Sequence, residues 1–255
     1  MALIDTPGRI YEMTPTEIDD SQRKAAKIAG LAGLLPLPLV VFANFAVHDR
    51  LIIAGNLAQT AQNIVANETL FRASIVCDLL YSAGLIVLLS ALYVVLKPVN
   101  RTLSLLAGFW RLVYALIWLR MSLNLFDALR LLKGADYLQV IGTDRLQALA
   151  KLYLNARFDQ YYVGLLFWAL AGIVCSYLLL KSNYIPTILA GFGVIASLWC
   201  AACTMTFLVV PDFDKAVNLW WFDTPITLFE VATSVWLLIK GLRPPTIANA
   251  RLVAA

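Results

Sequence analysis

Apolar residues run along this chain in six long stretches, at 25–47, 71–96, 103–126, 161–180, 185–210 and 225–239, with polar residues gathered between them. A helix needs about 20 residues to cross the ~30 Å hydrocarbon layer of a bilayer. The pattern therefore predicts an all-α, integral membrane bundle of six transmembrane helices. It divides the chain into an N-terminal segment, 1–24, a six-helix transmembrane domain, 25–240, and a tail, 241–255. Pro36 and Pro38 remove two backbone donors inside the first stretch and predict a bend there. Thr14-Pro15-Thr16-Glu17 carries the hydroxyl cap, proline and acid of a helix start, which predicts a short surface helix leading into span one.

The connections alternate in character. After spans two and four they are tight and basic without acids, Lys97 to Thr102 and Lys181 to Tyr184. The others are longer and hold Asp49, Glu68, Asp127, Asp136, Asp144, Asp159, Asp212, Asp214 and Asp223. Lys and Arg near the ends of short loops favour the cytoplasmic side, so both termini are expected in the cytoplasm. Within the long connections, 57–65 and 146–153 show partial helical periodicity, and Thr143-Asp144 offers a start signal for the second. They read as short surface helices in the outer loops or as extensions of the spans. Trp220-Trp221-Phe222 precedes span six, where amphipathic rings favour the membrane interface.

Composition agrees with this reading. The chain is 61% hydrophobic and 14% charged, with a mean hydropathy of +0.77, far from the balance of an ordinary globular domain. The net charge of +4 is spread over short connections without a Lys/Arg run, which argues against nucleic-acid binding. The N-terminal twenty-odd residues are polar and acidic, so span one itself is the expected insertion signal rather than a cleaved leader. No internal repeat stands out, although transporters built on inverted halves usually show one.

Four ionisable residues fall inside the apolar stretches: Asp78 in span two, Arg111 and Arg120 in span three, and Glu230 in span six. A charge in hydrocarbon costs several kcal/mol, so such groups face the bundle interior and find partners. At ~1.5 Å per residue, Asp78 and Arg120 both lie roughly 8 Å to the outer side of their span midpoints. An Asp78–Arg120 pair is thus expected between adjacent antiparallel spans. Arg111 and Glu230 lie within about 5 Å of their midpoints and form a second, deeper candidate pair if spans three and six are neighbours. Arg120, Asn124 and Asp127 are spaced as one stripe toward the outer surface, and Tyr81 and Tyr114 sit one turn from Asp78 and Arg111. Together these residues suggest a polar core opening outward.

The plainer reading is that these charges only specify which helix meets which. The functional readings remain open: binding of a small amphiphile, lipid or lipophilic cofactor near Arg120, Asn124, Asp78 and Tyr81; intramembrane acid/base or thiol chemistry; or small-solute or proton-coupled transport. Cys200 and Cys203 form a CxxC pair on one helical face, but no βαβ pattern surrounds them, and buried Cys is common packing material. His48 is the only histidine, so a multi-histidine metal site within the chain is excluded and no metal is expected. It reads as a hydrated residue at the outer end of span one. No motif names a catalytic residue or a cofactor.

The order of several strings resembles the prokaryotic membrane-protein family named domain of unknown function 4386. They are Arg23-Lys24-Ala25-Ala26, Leu70-Phe71-Arg72 followed by Asp78, and Ala91 to Asn100. Arg111-Leu112-Val113, Lys181 to Pro186 and Glu230 with Trp236 to Gly241 complete the set. The resemblance runs from about Arg23 to Gly241. It implies a compact multi-span helical protein of the prokaryotic cytoplasmic membrane, with Arg72, Asp78, Arg111 and Glu230 at its polar positions, and it implies no particular activity. Arg120, the Cys200/Cys203 pair and the Trp220-Trp221 pair are not features of that resemblance.

Overall fold

The computed structural model describes residues 18–134, 142–210 and 212–244. Six helical segments in it are long and apolar enough to cross a membrane. Span one is composite. Helix α1 (Asp20–Leu34) starts at Asp19, whose carboxylate accepts from the Gln22 amide while the Gln22 side chain accepts from the Asp19 amide, a reciprocal cap that satisfies two end donors. The helix start expected at Thr14 to Glu17 lies outside the described residues. At Leu35–Pro36 the helix breaks, as the prolines require, and resumes as α2 (Leu37–Val41). The chain then passes through a π-helical segment (Phe42–His48) into α3 (Asp49–Leu51). Gly84 lets Pro36 approach: a Cβ there would stand 2.4 Å from Pro36 Cγ.

Helix α4 (Leu57–Ala66) is the short helix expected in the first long connection, capped by Asn56. Spans two and three are α5 (Glu68–Leu96) and α6 (Arg101–Lys133), joined by a tight turn in which Asn100 caps α6. Span four is α7 (Thr143–Ser182), one uninterrupted helix of 40 residues. The segment 146–153 therefore extends the span rather than lying on the surface as a separate helix. Span five is α8 (Thr187–Val209), followed by the short α9 (Phe213–Ala216) and span six, α10 (Trp220–Ile239).

The six spans pack as a closed ring in the order α1, α5, α6, α7, α8, α10, with α10 returning against α1. Helix α7 has the most buried apolar window and also touches α5 and α10. In lipid, close helix contact depends on small residues that let backbones approach. At the α1–α10 seam, a Cβ on Gly30 would stand 2.7 Å from the Ser234 carbonyl and one on Gly33 2.1 Å from Ser234 Oγ. At the α7–α8 contact, Gly172 faces Ser197 and Gly193 faces Ser176. The tight-turn end is tied by Gln22, whose amide donates to the Val95 carbonyl and to Tyr184 Oη, each at 3.2 Å.

Leu, Ile, Val and Phe side chains cover much of the outside, including Ile188 at 89% exposure and Ile195 at 69%. On a water-soluble protein this would be an anomaly; on a membrane bundle it is the lipid-facing surface. Trp220 and Trp221 are exposed at the loop-rich end. Trp220 stacks on Phe45 at 5.7 Å, and the Trp221 carbonyl accepts from Trp199 Nε1 at 2.8 Å.

Candidate functional site

Two buried polar centres occupy the bundle at different levels. The deeper one joins opposite sides of the ring. Arg111 Nη2 of α6 donates to Glu230 Oε1 of α10 at 2.5 Å, and Trp168 Nε1 of α7 donates to the same oxygen at 2.7 Å. The expected Arg111–Glu230 pair thus forms, although α6 and α10 are not ring neighbours; the long Arg side chain spans the interior beside α7. Arg111 is buried, and its other terminal nitrogen, Nη1, has no protein partner. Arg111, Glu230, Thr233 and Ser234 border a cavity of about 30 Å³, where Thr233 Oγ1 is likewise unpartnered. That volume holds about one or two waters and is far below the several hundred Å³ of a drug-sized ligand pocket.

Tyr114 and Tyr81 belong to this deeper centre. Tyr114 stacks on Trp168 at 5.6 Å, and Tyr81 packs edge-on against Trp118 at 4.7 Å. Arg111 and Glu230 act electrostatically on Tyr81, which stands one turn from Asp78 on α5. On its loop-rich side the aromatic cluster continues to Tyr161, which donates to the Asp223 carboxylate.

The second centre lies nearer the loop-rich end. Asp78 is 1% exposed, yet neither carboxylate oxygen has a hydrogen-bond partner in the protein. The expected Asp78–Arg120 pair does not form: Arg120 is exposed and makes none of the ion pairs found among the described residues. Depth matched, but direction did not. Arg111 and Arg120 lie on opposite sides of α6, and since Arg111 faces the interior, Arg120 faces out. The cation that acts on Asp78 is Arg157 of α7. It lies outside direct salt-bridge contact with Asp78, and its Nη2 donates to Asn44 Oδ1 of the π-helical segment at 2.5 Å, leaving Nε unpartnered.

His48 completes this centre. It is 4% exposed rather than hydrated, because the wide π turn carries it inward against α5. Its Nε2 lies 2.9 Å from Ser74 Oγ, one helical turn from Asp78. Arg157 acts on His48 as well. Asn124 of α6 donates through Nδ2 to Gln160 Oε1 at 2.9 Å, one turn from Arg157, and its Oδ1 is unpartnered. Asp127 departs from the expected stripe: it is half-buried and stands 3.9 Å from Arg130 at the surface.

Arg157 precedes the apolar stretch 161–180, so a span four that begins at Tyr161 leaves it in a connection. The available signal was the absence of any proline between Thr143 and Ser182, which permits one continuous helix and turns Arg157 and Gln160 inward together. The thiols form no cluster of this kind. Cys200 and Cys203 are free and buried on the packing face of α8, and Cys77 and Cys175 are also free. Among the described residues no group of three or more His, Cys, Asp or Glu side chains could hold a metal ion.

No curated protein and no solved structure matches the chain. A family model matches residues 28–241, which takes in all six spans and both polar centres except the first turns of α1. The chain belongs to the membrane-protein family described as domain of unknown function (DUF4386).

Proposed function

We propose that this protein binds the polar group of a small amphiphile, lipid or lipophilic cofactor at the Asp78–Arg157 centre. Asp78 carries the reading: a carboxylate 1% exposed, with neither oxygen partnered by protein, facing an arginine that it does not touch. Buried polar atoms are partnered in nearly all native structures, and each exception calls for a specific account. A bound group that donates to the free Asp78 oxygens supplies one. The flanking π turn is a secondary structure that proteins use mainly at functional sites, and it forms one wall of the centre at the end where the long connections lie.

The basic tight turns after spans two and four favour an orientation with both termini in the cytoplasm of a prokaryote and this centre toward the outer leaflet. The binding test is mass spectrometry of the gently purified protein, native and then denatured. Wild-type protein is expected to release a stoichiometric small molecule on unfolding, and Asp78→Asn to retain at least about tenfold less. Equal release from both would remove this reading, as would an empty wild-type protein that also gives no saturable response to added amphiphile.

A further inference from the structure

The free hydrogen-bonding capacity of the Asp78 centre has a direction. Ser74 Oγ donates its single proton to the Phe71 carbonyl at 2.7 Å, so the contact between Ser74 Oγ and His48 Nε2 at 2.9 Å must be donated by the imidazole. In the neutral ring this leaves Nδ1 as an acceptor, and Nδ1 is buried without a partner. Four buried acceptors on the helical segments around the centre are therefore unpartnered: His48 Nδ1, both Asp78 oxygens and Asn124 Oδ1. Among the described residues of these segments, the buried donor left unpartnered beside Asp78 is Arg157 Nε.

Charge points the same way. Asp78 and Arg157 cancel, His48 in this tautomer is neutral, and a second carboxylate, exposed Asp49, also acts on Arg157. An anionic head would add negative charge beside Asp78 and no donors. A hydroxyl would supply one donor. A primary ammonium supplies three N–H donors and one positive charge.

We propose that the Asp78 centre recognises a primary ammonium group, carried by a free amphiphilic amine or by an amine-bearing lipid head, with Asp78 as its counter-ion and His48 Nδ1 as a second acceptor. This rests on the binding reading above and names its ligand class. Asp78 would meet the ammonium by charge-assisted hydrogen bonds, the stronger kind, while Arg157, held by Asn44, limits the site to a single added cation.

The probes are hexylamine, hexyltrimethylammonium, hexanol and hexanoate, added to the full chain in nanodiscs of phosphatidylcholine while its melting temperature is followed. Hexylamine is expected to raise the melting temperature saturably, and the other three to do so at concentrations at least about tenfold higher. Asp78→Asn and, independently, His48→Leu are expected to shift the hexylamine midpoint upward by about tenfold or more. The contrast among probes is read on the wild-type protein, so it stands even if a variant folds poorly.

Saturable stabilisation by hexanol or hexanoate with none by hexylamine would overturn the ammonium class and leave the binding reading standing. A hexyltrimethylammonium response equal to that of hexylamine would show charge without N–H recognition and overturn the proposal as stated. No saturable response to any probe, together with an empty protein in the mass spectrum, would remove both readings. Repeating the titration with phosphatidylethanolamine in the nanodiscs distinguishes the source: loss of the hexylamine response assigns the site to the lipid head, and its persistence assigns it to a free amine.

Discussion

Arg111 and Glu230 are joined across the middle of the helical ring, from α6 to α10, and Trp168 of α7 binds the same carboxylate oxygen. The pair is asymmetric in environment, with side-chain exposures of 4% and 23%. Removing one partner from a buried pair leaves a charge without compensation, which costs about 3–5 kcal/mol in well-buried cases, whereas replacing both by apolar residues is often neutral. Glu230→Gln is therefore expected to lower the melting temperature in detergent clearly, toward the lower end of that range because Glu230 is partly exposed. The double variant Arg111→Met with Glu230→Met should recover most of the loss. A double variant as unstable as the sum of the two singles would show no coupling between the residues and would contradict the pair.

Arg120 and Arg157 exchange the roles that depth alone assigns them. Arg120→Leu removes an exposed side chain with no ion-pair partner and is expected to change stability by no more than about 0.5 kcal/mol. Arg157→Leu removes the bond to Asn44 and the charge facing Asp78 and should cost several times more, about 2 kcal/mol or above. Thermal unfolding of the two variants side by side checks this, and the reverse order would contradict the geometry.

The α1–α10 seam should be intolerant of added volume. A leucine at position 30 would drive side-chain atoms into the Ser234 carbonyl and the Leu238 backbone, where neither rotamer change nor water can relieve the clash. Gly30→Leu is expected to lose at least about 2 kcal/mol or to fail to accumulate. Gly108→Leu, where nothing lies within 4 Å of an added Cβ, should behave close to wild type in the same assay. Equal effects at the two positions would argue against the ring closure described here.

Thiol accessibility provides an independent reading of burial. Cys175, Cys200 and Cys203 are buried and Cys77 is intermediate, so a maleimide is expected to modify Cys77 first in folded protein and all four thiols after denaturation. Intact mass after timed labelling measures the order. Fast modification of Cys200 or Cys203 without unfolding would place α8 differently.

Much of the architecture is legible without coordinates because hydrocarbon imposes a length and a polarity that the chain must show openly. The break at Leu35–Pro36, the helix at Leu57–Ala66 and the depth of Arg111 against Glu230 all follow from such rules. The azimuth of Arg120 does not, since rise per residue sets only the level of a side chain. Nor does the burial of His48, which depends on a π turn that changes the helical phase after Val41, or the inward position of Arg157, which requires α7 to continue well beyond the apolar stretch that reveals it.

The ring also constrains the order of assembly. Span six is the least apolar of the six segments and the last to be made, yet it carries Glu230 and the Ser234 surface that receives Gly30 and Gly33. Glu230 is the carboxylate that meets Arg111 across the ring, so the other five helices without α10 would leave that buried guanidinium uncompensated. Closing the seam with α1 and neutralising Arg111 thus both depend on the same helix.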